Sequence, residues 1–242
     1  QGCRFYDALY FRVMKTRIKI GTLPVILAGV LVLFANSCQK EESDDKITDM
    51  DGNVYSSVTI GTQVWMVENL KTTKYSDGTA IPLVTDDVEW MNLNGHAYCW
   101  YNNDPGENKN TYGALYNWYA IYTDKLCPSG WHIPELADWN TLIDNLGGAS
   151  SAGGKLKESG TTHWKTTNTE VTNQSGFTAL PAGYRSSWTG EFGGIGRDTY
   201  WWTNSGSLVY LPEAVYIHDN EIKVHTGTEW RETGFSVRCI KD

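Results

Sequence analysis

The chain has 242 residues, of which 40% are hydrophobic and 13% aromatic, and its formal net charge is −8. That acidic balance, with no basic run or stripe to offset it, repels phosphate backbones and excludes nucleic acid as an expected partner. The length allows one substantial domain with additional segments.

Residues 1–13 precede the first methionine and read as a spurious upstream extension, so Cys3 carries no role. Residues 14–37 read as a lipoprotein signal peptide: Met14-Lys-Thr-Arg-Ile-Lys19 is a basic start, Leu23 to Ala35 is apolar, and Ala35-Asn-Ser-Cys38 ends in cysteine. The apolar run carries Pro24 and is shorter than the roughly 18 residues of a membrane-spanning helix. Cleavage before Cys38 would leave its thiol to carry lipid. Residues 38–46 follow as a polar, acidic tether, which cannot bury enough apolar surface to fold. This tether resembles the acidic export tags of Bacteroidetes-type surface lipoproteins, which implies an outer-membrane protein facing outward, with a periplasm-facing orientation as the alternative. Cleavage removes five Lys or Arg and one Asp, leaving 15 basic and 27 acidic residues and a net charge near −12.

Residues 47–242 then read as short strands and turns. Asn53 to Ile60 and Gln63 to Val67 are β-rich runs around Gly61-Thr62, the pattern of a hairpin. Asp49-Met-Asp-Gly-Asn53 starts like a calcium loop, but Ile60 stands where the closing glutamate of an EF-hand belongs, so a glycine-containing turn is expected. Apolar spacing predicts a helix over Thr111 to Tyr122, with Leu115, Trp118, Tyr119 and Tyr122 on one face. A second helix is predicted over Pro134 to Leu146, with Glu135 and Asp138 near its start and Gly147-Gly148 as its stop. Candidate strands follow at Phe177 to Leu180, Val215 to His218, Glu221 to His225 and Gly234 to Ile240. Helices early and strands late imply an α+β fold.

Six ordered segments carry a family resemblance: Asp51-Gly-Asn-Val-Tyr55, Ile60-Gly-Thr-Gln-Val-Trp-Met-Val-Glu-Asn-Leu70, Tyr98-Cys-Trp-Tyr-Asn-Asn-Asp104, Tyr112-Gly-Ala-Leu-Tyr-Asn-Trp118, Cys127-Pro-Ser-Gly-Trp-His-Ile-Pro134 and Gly234-Phe-Ser-Val-Arg-Cys239. Together they closely resemble the Fibrobacter succinogenes major paralogous domain, which implies a surface or secreted bacterial protein, often a lipoprotein. The helix pair, the Gly-Trp segment and the terminal cysteine also resemble the C-type lectin-like fold: two helices on short antiparallel strands with long Gly- and Trp-rich loops. That fold pins its two ends with a disulfide, a role Cys127 and Cys239 can fill. Three pairings of Cys99, Cys127 and Cys239 are open to sequence alone; the likeness favours Cys127 with Cys239, leaving Cys99 as a buried small hydrophobe.

Classical lectins in that superfamily hold calcium through Glu-Pro-Asn, Gln-Pro-Asp or Trp-Asn-Asp runs, none of which occurs here. No cofactor is therefore expected. Asn102, Asp104 and Glu107 form the densest oxygen-rich segment and are the weak calcium candidates, although the same composition makes a turn.

The segment Pro181 to Asn204 is the expected binding surface. Its candidates are Tyr184, Arg185, Trp188, Arg197, Asp198, Tyr200, Trp202 and Asn204, since aromatic rings and fixed polar groups among glycines suit a sugar or peptide. Trp201 and Trp202 are adjacent in an extended segment, so they should face opposite ways and at least one belongs to the core.

Catalytic constellations are not apparent. The five histidines show no His-x-x-x-His or paired-cysteine spacing, so zinc is not expected. Ser175-Gly-Phe is no nucleophile elbow, and Gly153-Gly-Lys-Leu156 lacks the phosphate-loop spacing. Trp131 to Trp139 is similar to a run of the formylglycine-generating family, but the reactive cysteine pair near the C-terminus is missing. The expectation is a non-catalytic, lipid-anchored envelope protein that binds a glycan or protein partner. A structural or adhesive module is the alternative, with a formylglycine-generating-like enzyme behind it.

Overall fold

A computed structural model describes residues 46–166, 169–206 and 211–242. The upstream extension, the lipoprotein signal, Cys38 and the tether to residue 45 lie outside the described residues. Among the described residues no helix is long and apolar enough to cross a membrane.

The chain enters through β1 (Ile47–Thr48) and β2 (Val54–Tyr55), joined by the turn at Asp49. Asp49 Oδ1 accepts from the backbone N–H groups of Asp51 and Asn53, and its Oδ2 accepts from the Tyr55 hydroxyl at 2.5 Å. The carboxylate thus closes its own turn, as expected. Then β3 (Ser57–Ile60) and β4 (Gln63–Met66) form the predicted hairpin, with Ile60 opposite Gln63 across Gly61-Thr62.

Next come α1 (Asp87–Met91), capped by Asp86, and β5 (Tyr98–Trp100). A 3-10 turn at Tyr101–Asn103 leads to α2 (Glu107–Tyr112), β6 (Ala114–Tyr116) and α3 (Trp118–Ile121). The helix expected over Thr111 to Tyr122 is therefore not one helix. Gly113 breaks it with φ +79, and a Cβ there would lie 2.6 Å from the Leu70 carbonyl. Beyond Gly113 the fully buried residues 114–116 pair with β5, and the helix resumes only after the Asn117 cap.

After β7 (Trp131–His132), α4 (Leu136–Asn145) matches its prediction. Glu135 and Asp138 form a reciprocal capping box, while Trp139, Leu142 and Ile143 face the core. A helix not foreseen follows, α5 (Ala149–Leu156), and its Gly153 and Gly154 admit two backbones. A Cβ would lie 2.6 Å from the Ile222 carbonyl at the first and 2.4 Å from the Glu170 carbonyl at the second.

The remainder is β8 (Tyr184–Arg185), β9 (Phe192–Gly193), β10 (Asp198–Trp202), β11 (Glu213–His218), β12 (His225–Thr228) and β13 (Ile240–Lys241). Three of the four expected strands are corrected in part. Phe177 to Leu180 makes a single bridge, Ala179 with Lys157; residues 221–224 belong to the connection before β12; and Gly234 to Ser236 make isolated bridges to Arg185, Tyr116 and Trp201. Ala179 and Gly234 to Ser236 are buried and find their partners one residue at a time, whereas Glu221 to Lys223 are half-buried or exposed.

All named strand pairs are antiparallel, in small sheets ordered β3-β4-β13-β7, β10-β11-β12, β1-β2, β5-β6 and β8-β9. The fold is mixed α and β with few helices. The described residues belong to one compact unit, Asp44–Asp242, which carries its own apolar cores.

Cys127 and Cys239 are joined by a disulfide with Cα atoms 6.0 Å apart, and Cys99 is buried and free. The bridge ties the segment leading into β7 to the residue before β13, and these two strands pair directly. Adjacent Trp201 and Trp202 do face opposite ways, and both are fully buried: Trp201 packs with Trp139 and Phe177, Trp202 with Phe235. Asn69 links β10 to the C-terminal segment, since its Oδ1 accepts from Trp201 Nε1 at 2.9 Å and from Arg238 Nη2 at 2.9 Å.

Candidate functional site

The eight residues expected to form a binding surface separate into distinct environments. Arg185 is fully buried. Its guanidinium donates to the carbonyls of Gly190, Val84 and Thr85, pairs with Asp87 at 2.9 Å and lies over the rings of Trp90 and Phe192. Trp202 is also buried, with Nε1 donating to the Tyr116 carbonyl. Both hold the scaffold together and are not presented to a ligand. Asn204 stands at the far end of β10, where its amide faces Asp124 at 3.4 Å. Arg197 is exposed on the turn before β10. Asp198 is engaged with His218 at 2.8 Å.

Tyr184, Trp188 and Tyr200 come together around an open groove of about 310 Å³, which Ser186, Ser187, Glu229, Thr233 and Phe235 complete. Local chain geometry explains the convergence. Ser186 Oγ accepts from the backbone N–H groups of Trp188 and Thr189, bending the chain after β8 so that Trp188 stands 71% exposed at the rim. Trp230, 47% exposed and outside the groove lining, packs directly against it, and the two indoles meet edge to face at 5.4 Å. The floor is a stack in which Tyr200 lies 4.7 Å from Phe235 at 9° and 5.3 Å from Tyr216 at 28°. Burial raises the Tyr200 hydroxyl above the usual phenol range, and burial likewise raises the Glu229 carboxyl. Glu229 is thus a half-buried carboxyl in an aromatic wall, disposed to make hydrogen bonds.

Sequence reasoning missed Glu229, Trp230 and Thr233. The available signal was Trp230 itself, a lone large apolar residue in the polar run Thr226 to Glu232, where no core-facing pattern accounts for it.

The calcium candidates are exposed and lie on and beside a turn. Asp104 Oδ1 accepts from the Gly106 N–H at 2.8 Å, Asn102 takes a left-handed conformation with φ 53, and Glu107 lies in the first turn of α2. These residues make a turn.

A model of the Fibrobacter succinogenes major domain matches residues 58–241. The chain belongs to that family. In this Fibrobacter succinogenes major domain the resembling segments meet in the interior: β4, β5, β6 and the Gly234 to Cys239 segment contribute Met66, Tyr98, Trp100, Tyr116, Phe235 and Cys239 to one apolar cluster. The shared pattern is therefore largely scaffold, while Trp188 and Trp230 stand outside that cluster. No curated protein and no solved structure matches the chain.

Proposed function

We propose that this chain is a lipid-anchored, non-catalytic envelope protein whose groove at Trp188 binds a glycan. The observation that carries the reading is the exposed Trp188, braced edge to face by Trp230, at the rim of a groove with stacked Tyr200 and Phe235 as floor and Ser186, Ser187, Glu229 and Thr233 in its lining. Aromatic faces stack on the apolar faces of sugar rings, and flanking hydroxyl and carboxyl groups fix their orientation. Two exposed indoles in contact form a contiguous apolar patch, the kind of surface that marks interaction sites.

The anchor rests on the basic start at Met14, the apolar run to Ala35 and Cys38. The acidic tether supports export to the outer face of the outer membrane. A lectin-like architecture is supported by the mixed fold, the small antiparallel sheets and the long-range bridge from Cys127 to Cys239. A fragment of residues 46–242 presented to glycan panels tests the proposal. Saturable binding that Trp188→Ala removes supports it. Capture of a protein partner with no glycan bound assigns the groove to protein recognition, and no binding of either kind favours a structural module.

A further inference from the structure

Outside the groove, the hairpin of β11 and β12 brings three ligand-type side chains together. Among the described residues, His218, Glu221 and His225 are the one group of three or more histidine, cysteine or acidic side chains whose ligand atoms all lie within 4.8 Å of one another. We propose that they form a binding site for a divalent transition metal of the zinc type. It does not depend on what the groove binds.

The placement follows from the register. Tyr216 is opposite His225 across the hairpin, so His218, two residues further along β11, is the diagonal neighbour of His225 on the same face. Glu221 projects from the connection between them. The interval His-x-x-Glu-x-x-x-His would share one face of a helix, but His218 and His225 lie on strands, and the return of the chain through 219–224 makes them a cluster.

Both histidines are oriented by partners outside the cluster, and the Glu221 backbone is held by Lys157. Asp198, opposite His218 in the register, bonds His218 Nδ1 at 2.8 Å. A carboxylate on Nδ1 fixes the proton there and leaves Nε2 with its lone pair outward, the arrangement of a metal-binding histidine with its supporting carboxylate. The His225 ring lies flat on Tyr216, centroids 5.1 Å apart at 8°, with Nε2 aimed at Glu221 Oε1 at 2.6 Å. Lys157 fastens the connection from below: its buried Nζ donates to the carbonyls of His218, Asp219 and Glu221 at 2.9, 3.2 and 2.6 Å. The turn that carries the ligands is thereby held before any ion arrives.

Ion pairing alone is the competing account, since His132 and His163 also face carboxylates. Neither of those pairs gathers a three-ligand group within the same distance. Tetrahedral zinc with ligand bonds of about 2.0–2.1 Å needs ligand atoms roughly 3.3 Å apart, which small side-chain rotations supply from this arrangement. Two imidazoles and one carboxylate favour zinc and its neighbours over calcium or magnesium, which prefer all-oxygen sets. All three side chains are partly exposed, so an ion can enter and a further coordination position faces solvent.

Titration calorimetry of zinc chloride into the 46–242 fragment, alongside calcium chloride, tests the site. The expected result is one zinc per chain and no competing calcium binding. His225→Ala and Glu221→Gln should each weaken zinc at least about ten-fold, and Asp198→Asn about 10- to 100-fold through His218. His163→Ala should leave it unchanged. Circular dichroism without metal confirms that each variant folds; if His225→Ala does not, Glu221→Gln on the exposed turn decides. Absence of saturable zinc binding, or equal affinity in folded Glu221→Gln, overturns the proposal.

Discussion

Phe235 lies flat beneath Tyr200, 4.7 Å between ring centroids and 9° between planes, so the last buried segment of the chain forms the floor of the groove. Phe235 is also in contact with Trp202, centroids 4.7 Å apart. Floor and core are therefore the same residue. Phe235→Ala should cost about 3–5 kcal/mol, read as a fall in the urea midpoint, because it removes a fully buried ring that the surroundings cannot refill.

The bridge from Cys127 to Cys239 closes a sequence separation of 112 residues. In the chain-entropy account a loop of that size contributes about 4–5 kcal/mol. Replacing both cysteines by serine should lower stability by up to that amount, measured by urea unfolding. Cys99, its thiol pushed up to about 12 by burial, should not react with a disulfide reagent in the native fragment and should give one reactive thiol on denaturation. Two or three reactive thiols without reductant would contradict the pairing.

Lys157 connects stability to pH. Burial lowers its ammonium to about 8 from the usual value near 10.5. Between those values the unfolded chain holds more protons than the folded one, so this group's contribution to stability rises with pH from about 8 to about 10.5. Buried Tyr55 and Tyr116 act oppositely. Desolvation holds their hydroxyls above the ordinary range, so their contribution is complete below pH 10 and is lost at higher pH as the unfolded phenols ionise first. Urea midpoints across pH 7.5 to 11.5 should rise and then fall, and Lys157→Met should flatten the rising limb.

Much of the scaffold is legible in the sequence, for physical reasons that differ by element. The helix α4 shows itself because Trp139, Leu142 and Ile143 recur at helical spacing behind a Glu135 and Asp138 start. The interrupted segment around Gly113 does not, since a buried three-residue strand such as Ala114 to Tyr116 has the same apolar density as a helix turn. The helix α5 is hidden by its own glycines, which local propensity disfavours and which only the backbones at Ile222 and Glu170 explain. At the groove, Trp188 is readable among its glycines, whereas Trp230 is brought against it by long-range packing. His218 and His225 lack a recognised interval and become neighbours only through the β11–β12 register.

The lipid anchor makes a separate prediction. Expressed in a bacterium with its signal intact, the full chain should gain acyl mass at Cys38 and partition with membranes, and Cys38→Ala should abolish both. Mass spectrometry of the N-terminal peptide checks this, and an unmodified Cys38 in the wild-type protein would contradict it.

The central claim is that the groove at Trp188, which Trp230 braces, recognises a glycan. Its most direct test is calorimetry of the 46–242 fragment with the tightest glycan from the panel, comparing wild type with Trp188→Ala and Trp230→Ala. Each substitution should weaken binding by about 2 kcal/mol or more, roughly thirty-fold, with unchanged unfolding midpoints because both indoles are exposed. Glycan affinity unchanged in both folded variants would contradict the assignment of the groove.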